Sequence, residues 1–239
     1  MRNKKLAYAI IILASIFYLP LVAQTGPSIL IRENFENLSR WKEVYFPGIS
    51  VHTTYRVMKD DNITCLKAES IKSASAFEFK GSFNPYEYPN LKWKWKIDNI
   101  LPNADLRKKS GDDAPIRVYV SFEYEPEKAD ALTRAKYSAA KAVLGYYPPH
   151  SSLNYVWSSQ TDLPEIIKSS YTEMSRMIFK ENGPKNIGKW LNENVNIISD
   201  YRRAFKTDPP GKAKIGILCD TDNTKDRAVA YITDIVLYR

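Results

Sequence analysis

Between residues 28 and 238, stretch after stretch of the chain alternates apolar with polar side chains, and period two is the signature of strands with one buried side. The clearest stretches are SILIRENF (28–35), TTYRVMK (53–59), ITCLKAES (63–70), SASAFEFK (73–80), LKWKWKID (91–98), PIRVYVSFEYE (115–125), LNYVWS (153–158), EMSRMIFKE (173–181), AKIGILCD (213–220) and VAYITDIVLY (229–238). Strands and helices do not alternate regularly, which argues against a parallel doubly wound sheet. The pattern predicts a mostly β fold, a two-sheet antiparallel β-sandwich of jelly-roll type with one or two helical insertions.

The stretch 91–98 shows how the faces divide. Leu91, Trp93, Trp95 and Ile97 share one side, and Lys92, Lys94, Lys96 and Asp98 the other. Large apolar residues at such positions belong to a sandwich core, so the tryptophans read as buried and the lysines as outward. In RVYVSFEYE, Val118, Val120, Phe122 and Tyr124 form one face, and Arg117, Tyr119, Ser121, Glu123 and Glu125 the other. That polar face either pairs charges with the lysines, if the two strands are neighbours, or lines a groove with Tyr119 and its charged flanks.

Two segments break the alternation. Residues 126–145, PEKADALTRAKYSAAKAVLG, begin with Pro, end with Gly and place Leu132, Ala135, Ala139 and Val143 on one face, which predicts a helix packed on the sandwich. Residues 189–205, KWLNENVNIISDYRRAF, place Leu191, Val195, Ile198, Arg202 and Phe205 near helical spacing ahead of DPPG, although NVNIIS also suits an extended chain. Both lead into Pro-rich turns, where ligand-shaping loops are expected.

The N-terminus has the order of a secretory signal peptide. Arg2, Lys4 and Lys5 precede an apolar run over 6–19, and small residues near Ala23 follow Pro20, so residues 1–23 are expected to be removed and 24–239 to form one β-sandwich domain. The run is short for the ~20 residues of a spanning helix, so no stable membrane span is expected after cleavage. No cysteine stands near the cleavage region to carry a lipid. A periplasmic or extracellular location follows. Loss of the three basic residues lowers the formal charge from +8 to +5, a mild attraction to anionic polymers that falls short of a nucleic-acid footprint. Cys65 and Cys219 could pair in an oxidising compartment or stand as buried thiols.

Chemistry concentrates in a few motifs. KKSGDDAPIR (108–117) sets Asp112 and Asp113 in a Gly turn just before a strand that carries Arg117, a placement that aims acids at a cation, a sugar hydroxyl or the arginine. CDTDNTKDRA (219–228) is the densest oxygen cluster, with Asp220, Asp222, Asn223, Thr224 and Asp226. It is not a helix-loop-helix calcium hand, because Lys225 stands where that motif needs Gly and Tyr231 where it needs Glu. A hairpin of Asx-turns or a sandwich-type calcium site remains, the hairpin being favoured. LNYVWSS (153–159) and SDYRRAF (199–205) combine aromatic, amide and cationic groups, Asn154, Tyr155, Trp157, Asp200, Tyr201 and Arg202, which suit either stacking on sugar faces and binding hydroxyls or a place in the core with their polar tips satisfied, Asn154 and Asp200 being the least explained by packing. His52 and His150 are the only histidines, too few for a zinc site, and no nucleophile-elbow, Cys-His or phosphate-loop spacing occurs.

Taken in order, LKAES, PNLKWKWKID, GDDAPIRVYVSFE, LNYVW, SDYRRAF, PPGKAKIGILCDTDNT and AYITDIVLY resemble the bacterial family catalogued as domain of unknown function 3047, over almost the whole of 24–239. That resemblance implies an exported bacterial domain and assigns no activity. More distantly, NFENLSRW and AYITDIVLY are similar to the first and last strands of jelly-roll carbohydrate-binding modules, which nominates Glu36 and Asp234 as holders of a structural calcium ion. No other cofactor is expected.

The sequence therefore predicts an exported β-sandwich that binds a glycan or other polyhydroxylated ligand without catalysis, with the basic surplus weakly favouring an acidic partner. Asp112, Asp113, Arg117, Tyr119, Asn154, Tyr155, Trp157, Tyr201, Arg202, Asp220, Asp222 and Asn223 are its candidate contacts. Two alternatives are a hydrolase or lyase acting on polysaccharide through Asp112 or Asp113 with Asp220 or Asp222, and a structural envelope protein without a small ligand.

Overall fold

The alternating stretches become strands nearly residue for residue. The computed structural model describes residues 27–239, so the expected signal peptide lies outside the described residues. A six-stranded sheet is ordered β11 (Leu191–Asn196), β6 (Asn90–Ile97), β13 (Arg227–Tyr238), β4 (Ile63–Ile71) and β3 (Thr54–Asp60), with β1 (Ile29–Glu33) on the second half of β13. A seven-stranded sheet runs β2 (Trp41–Val44), β5 (Ala74–Phe79), β12 (Ala213–Asp220), β7 (Ala114–Phe122), β8 (Ser151–Ser158), β10 (Ser175–Asn182) and β9 (Ile166–Lys168). All the pairings are antiparallel except that of β8 with β10.

The inward sides of the two sheets close on each other through aromatic residues. Trp93 and Trp95 of β6 meet edge to face at 5.3 Å, and they contact Tyr155 (5.4 Å) and Trp157 (5.8 Å) of β8 in the other sheet. All four are essentially inaccessible. Their burial excludes the bulk of these rings from water, worth roughly 1.5–3 kcal/mol per large side chain. The lysines of β6 and the glutamates beyond β7 lie in different sheets, so they form no cross-strand pairs. Cys65 lies on the outer side of the six-stranded sheet with Val229 and Tyr231, whereas Cys219 belongs to the core between the sheets; both are free thiols.

Three expectations change. Leu191–Asn196 is an edge strand, and only Ile197–Phe205 (α2) is helical, started by Asn196, whose side chain accepts from the Ser199 N–H. The helix α1 (Ala131–Leu144) forms where predicted, with Asp130 capping its start and Gly145 (φ 81°) its end, yet it does not pack as predicted. No residue of α1 is buried: Leu132 and Val143 are 66% and 85% exposed, and the helix leans on the sandwich through Tyr137, stacked on Tyr124 at 3.7 Å. Finally, 221–226 is not a hairpin, because β12 and β13 belong to opposite sheets and the segment crosses from one to the other. No helix among the described residues is long and apolar enough to cross a membrane.

Candidate functional site

The Gly-Asp-Asp turn and the Asp-Thr-Asp-Asn crossing meet at the start of β7. Gly111 has room only for a hydrogen: a Cβ there would sit 2.6 Å from the Asp105 backbone nitrogen, whose N–H donates to the Gly111 carbonyl (2.9 Å). The Asp113 N–H donates back to the same carbonyl (2.8 Å), closing an inverse γ-turn on Asp112 (φ −78°, ψ 57°). The two carboxylates then part. Asp113 accepts from the backbone N–H groups of Asn223 (3.2 Å) and Thr224 (2.6 Å) and from the Thr224 hydroxyl (2.6 Å), which ties the crossing to the turn. Asp112 accepts from Arg117 (2.9 Å) and from the Ser170 hydroxyl (3.2 Å).

Arg117 is the centre of this group. It stands on the outer face of β7, 5% exposed, and its Nη2 donates to the Asp112 carboxylate, to the Asp112 carbonyl (2.8 Å) and to Asp220 (3.0 Å). Its Nε is buried with no hydrogen-bond partner among the described residues. Burial works against the guanidinium charge, but Asp220 and Asp112 hold the proton more firmly than on an ordinary arginine. Asp220 also accepts from the Ala114 N–H (3.1 Å). Burial, with Asp113 and Asp112 adding to it against the pull of Arg117, raises its carboxyl to about 8. Asp222 is raised too, by burial and then by Asp113.

Oxygens of Asp113, Asp220 and Asp222 lie within 4.8 Å of one another, close enough to share a cation. The positive charge already at this place is Arg117's, and Asp113 is committed to the crossing loop. Glu36 and Asp234 lie outside this group: Glu36 accepts from Asn34 (3.0 Å), and Asp234 pairs with Lys94 (2.8 Å).

These groups form one end of a groove of about 380 Å³ on the outer face of the seven-stranded sheet. Leu218, Arg117, Asn154 and Met177 line it, on the adjacent strands β12, β7, β8 and β10. Phe46, Pro47 and Ile49, just past β2, contribute apolar wall, and so does Tyr171, which follows β9. Tyr171 is 55% exposed yet held in place: its hydroxyl accepts from Asn223 (3.1 Å) and donates to the Lys109 carbonyl (3.2 Å), and the Lys109 ammonium lies 5.4 Å from the ring. Asn154 donates to the Ser175 hydroxyl (2.9 Å) and the Arg176 carbonyl (3.3 Å).

The groove thus gathers Asp112, Arg117, Asn154, Asp220, Asp222 and Asn223, with Asp113 tied in beneath. The remaining candidates lie elsewhere. Tyr155 and Trp157 share the inward side of β8 with Leu153 and are fully buried, so neither ring can stack on a ligand. Tyr201 is buried against Phe122 (4.6 Å), at the end of β7 opposite Asp112. Arg202, on the same helix, is exposed and paired with Asp208 (2.6 Å). Tyr119 does lie on the outer face, but its ring covers Gly216, where a Cβ would fall 2.2 Å from the ring, and its hydroxyl reaches Glu78 (3.4 Å). Sequence reasoning missed Phe46, Tyr171 and the serines 169 and 170; they lie outside the strands identified from alternation, and only the SSY cluster hints at them.

No curated protein matches the sequence. Among solved structures the chain is similar to a family 11 carbohydrate-binding module of a cellulosomal cellulase of Clostridium thermocellum, at 9% identity and a TM-score of 0.44, over 90% of this chain and 95% of that one. It is also similar to the family GH12 endoglucanase 3 of Trichoderma harzianum (7%, TM-score 0.37, 85% and 99%) and to a Bauhinia forficata lectin in complex with GalNAc (11%, TM-score 0.31, 87% and 96%). A family model matches residues 39–236, which include every residue of the groove, and the chain belongs to that family, described as protein of unknown function (DUF3047).

Proposed function

We propose that this protein is exported and uses the groove on its seven-stranded sheet to bind a neutral, hydroxyl-rich ligand, a glycan. The observation that carries the reading is the pairing of the exposed Tyr171 ring and the half-buried Phe46 ring with a dense set of polar groups on one wall. A sugar offers both complements: an apolar ring face for the aromatics, and hydroxyl groups that accept from the guanidinium, donate to the Asp222 carboxylate and exchange hydrogen bonds with the Asn154 and Asn223 amides. Carboxylates outnumber the one cation of the groove, so an acidic ligand is disfavoured here. Titration of the purified protein with a panel of neutral oligosaccharides tests this. Binding weakened by Tyr171→Ala agrees with it, and no binding across the panel refutes it.

A second reading, a polysaccharide-cleaving enzyme, rests on Asp220 and Asp222. Their oxygens lie within 4.8 Å, near the ~5 Å of paired carboxylates in retaining glycosidases, and burial raises the Asp220 carboxyl to about 8 while Asp222 has no side-chain partner among the described residues. Release of reducing ends from a neutral polysaccharide, abolished by Asp222→Asn with binding retained, would favour the enzyme over the binding module.

A further inference from the structure

We propose that the outer face of the six-stranded sheet carries a second ligand groove, which binds the anionic groups of an acidic polysaccharide. At Asp234 (φ 51°) strand β13 changes partners: its pairing with β4 ends at Ile232, its pairing with β1 starts at Ile235, and its register with β6 slips between Thr233 and Val236. The irregularity lies in a depression of about 310 Å³. Arg32, Val236, Lys92 and Asn194 stand side by side across it on four adjacent strands, with Lys94 and Asn192 one step along.

The charges of this depression do not balance. Lys94 is paired with Asp234 (2.8 Å), and Glu193 is buried beside Trp93, its nearest cation being Lys180 of the other sheet (3.9 Å). Arg32 and Lys92 meet no carboxylate among the described residues; the Lys92 ammonium has only the Tyr238 ring, at 5.7 Å. Their backbones are two strand spacings apart, roughly 10 Å, with the buried Val236 between them. Two unpaired cations facing each other over an apolar floor repel, and an anion between them turns repulsion into attraction. The planar guanidinium suits a carboxylate or sulfate, and Asn194, whose oxygen accepts from the Tyr238 hydroxyl (3.1 Å), keeps its amide hydrogens for a sugar oxygen. The row spans four strands, longer than one anionic group, which fits a polymer with repeating charge.

The test is calorimetric titration of the purified protein with polygalacturonate and with heparin, repeated on an Arg32→Gln/Lys92→Gln double variant. Both side chains are exposed, so circular dichroism should match wild type. One polymer or both should bind wild type, more weakly as salt rises, and the double variant should bind at least tenfold more weakly, about the loss of one or two charged hydrogen bonds. Absence of binding to both polymers overturns the proposal, as does equal binding by the double variant. Inorganic phosphate or phosphatidylglycerol vesicles binding as tightly as the polymers would also overturn it. Neutral oligosaccharides act at the other groove, so failure there leaves this result separately readable.

Discussion

The two outer faces of the sandwich are built from the same alternating pattern and are covered to different extents. On the six-stranded sheet Lys96 is buried with Asp60 beside Cys65, Val229 and Tyr231, but Arg32 and Lys92 stay in water and Lys94 pairs with Asp234 at the surface. On the seven-stranded sheet, segments outside the strands close over the outward positions. Residues 46–49, the Gly-Asp-Asp turn, the segment around Tyr171 and the crossing at 221–226 take Arg117, Asp112, Asp113 and Asp220 out of water. Leu106, in the approach to the Gly-Asp-Asp turn, even builds a small second core there with Val156, Met177 and Phe179. Alternation decides which residues leave the core; the connections decide whether leaving the core means reaching water.

If that contrast is right, charge deletions on the two faces must differ in size. The largest effect is expected for Arg117→Ala, which leaves the Asp112 carboxylate buried without its cation and the Asp220 carboxyl without its guanidinium donor, and should lower stability by about 3–5 kcal/mol in urea denaturation. A loss below about 1 kcal/mol would mean that the covered site is wetter than its burial indicates. Asp113→Asn should cost about 1–3 kcal/mol, since an amide can accept only part of what the carboxylate takes from Asn223 and Thr224.

Burial also makes stability depend on pH. The Asp220 carboxyl lies at about 8 in the fold and near 4 in an unfolded chain, so the native state binds a proton that the unfolded state has released. Its contribution is complete below about pH 4 and is lost as pH rises towards 8. Stability should therefore fall between pH 5 and 8, and Asp220→Asn should flatten the slope. Glu193, raised to about 7 mainly by burial, contributes with the same sign from the other sheet, so Glu193→Gln should flatten a smaller part. The smallest effect is expected for Lys94→Ala, under about 1 kcal/mol, because its ion pair is half exposed.

The same division explains what could be read from the sequence. Strands with clean alternation were legible, and LKWKWKID declared both its faces. β2 and β9 are too short to show a period. β11 was obscured by Glu193, a carboxylate at an inward position where an apolar residue was expected. The acids of the site were legible because carboxylates beside a Gly turn stand out. Tyr155 and Trp157 were misjudged, although their alternation with Asn154 and Val156 already placed them beside Leu153 on the core side. Tyr171 and Phe46 were invisible because a loop side chain's direction depends on distant partners, here Asn223 and the carbonyl of Lys109. The apolar face of α1 was legible as a pattern, but a pattern does not say what faces it.

The central claim is that the covered face, with Phe46 and Tyr171 as its walls, is where this protein meets a neutral glycan. Its most direct test is calorimetric titration of wild type and Tyr171→Ala with the neutral oligosaccharide that binds best in the panel. The account predicts saturable binding that Tyr171→Ala weakens by about tenfold, the worth of one stacked ring, with an unchanged denaturation midpoint. Equal affinity in the two proteins, or no neutral glycan bound by either, would contradict it.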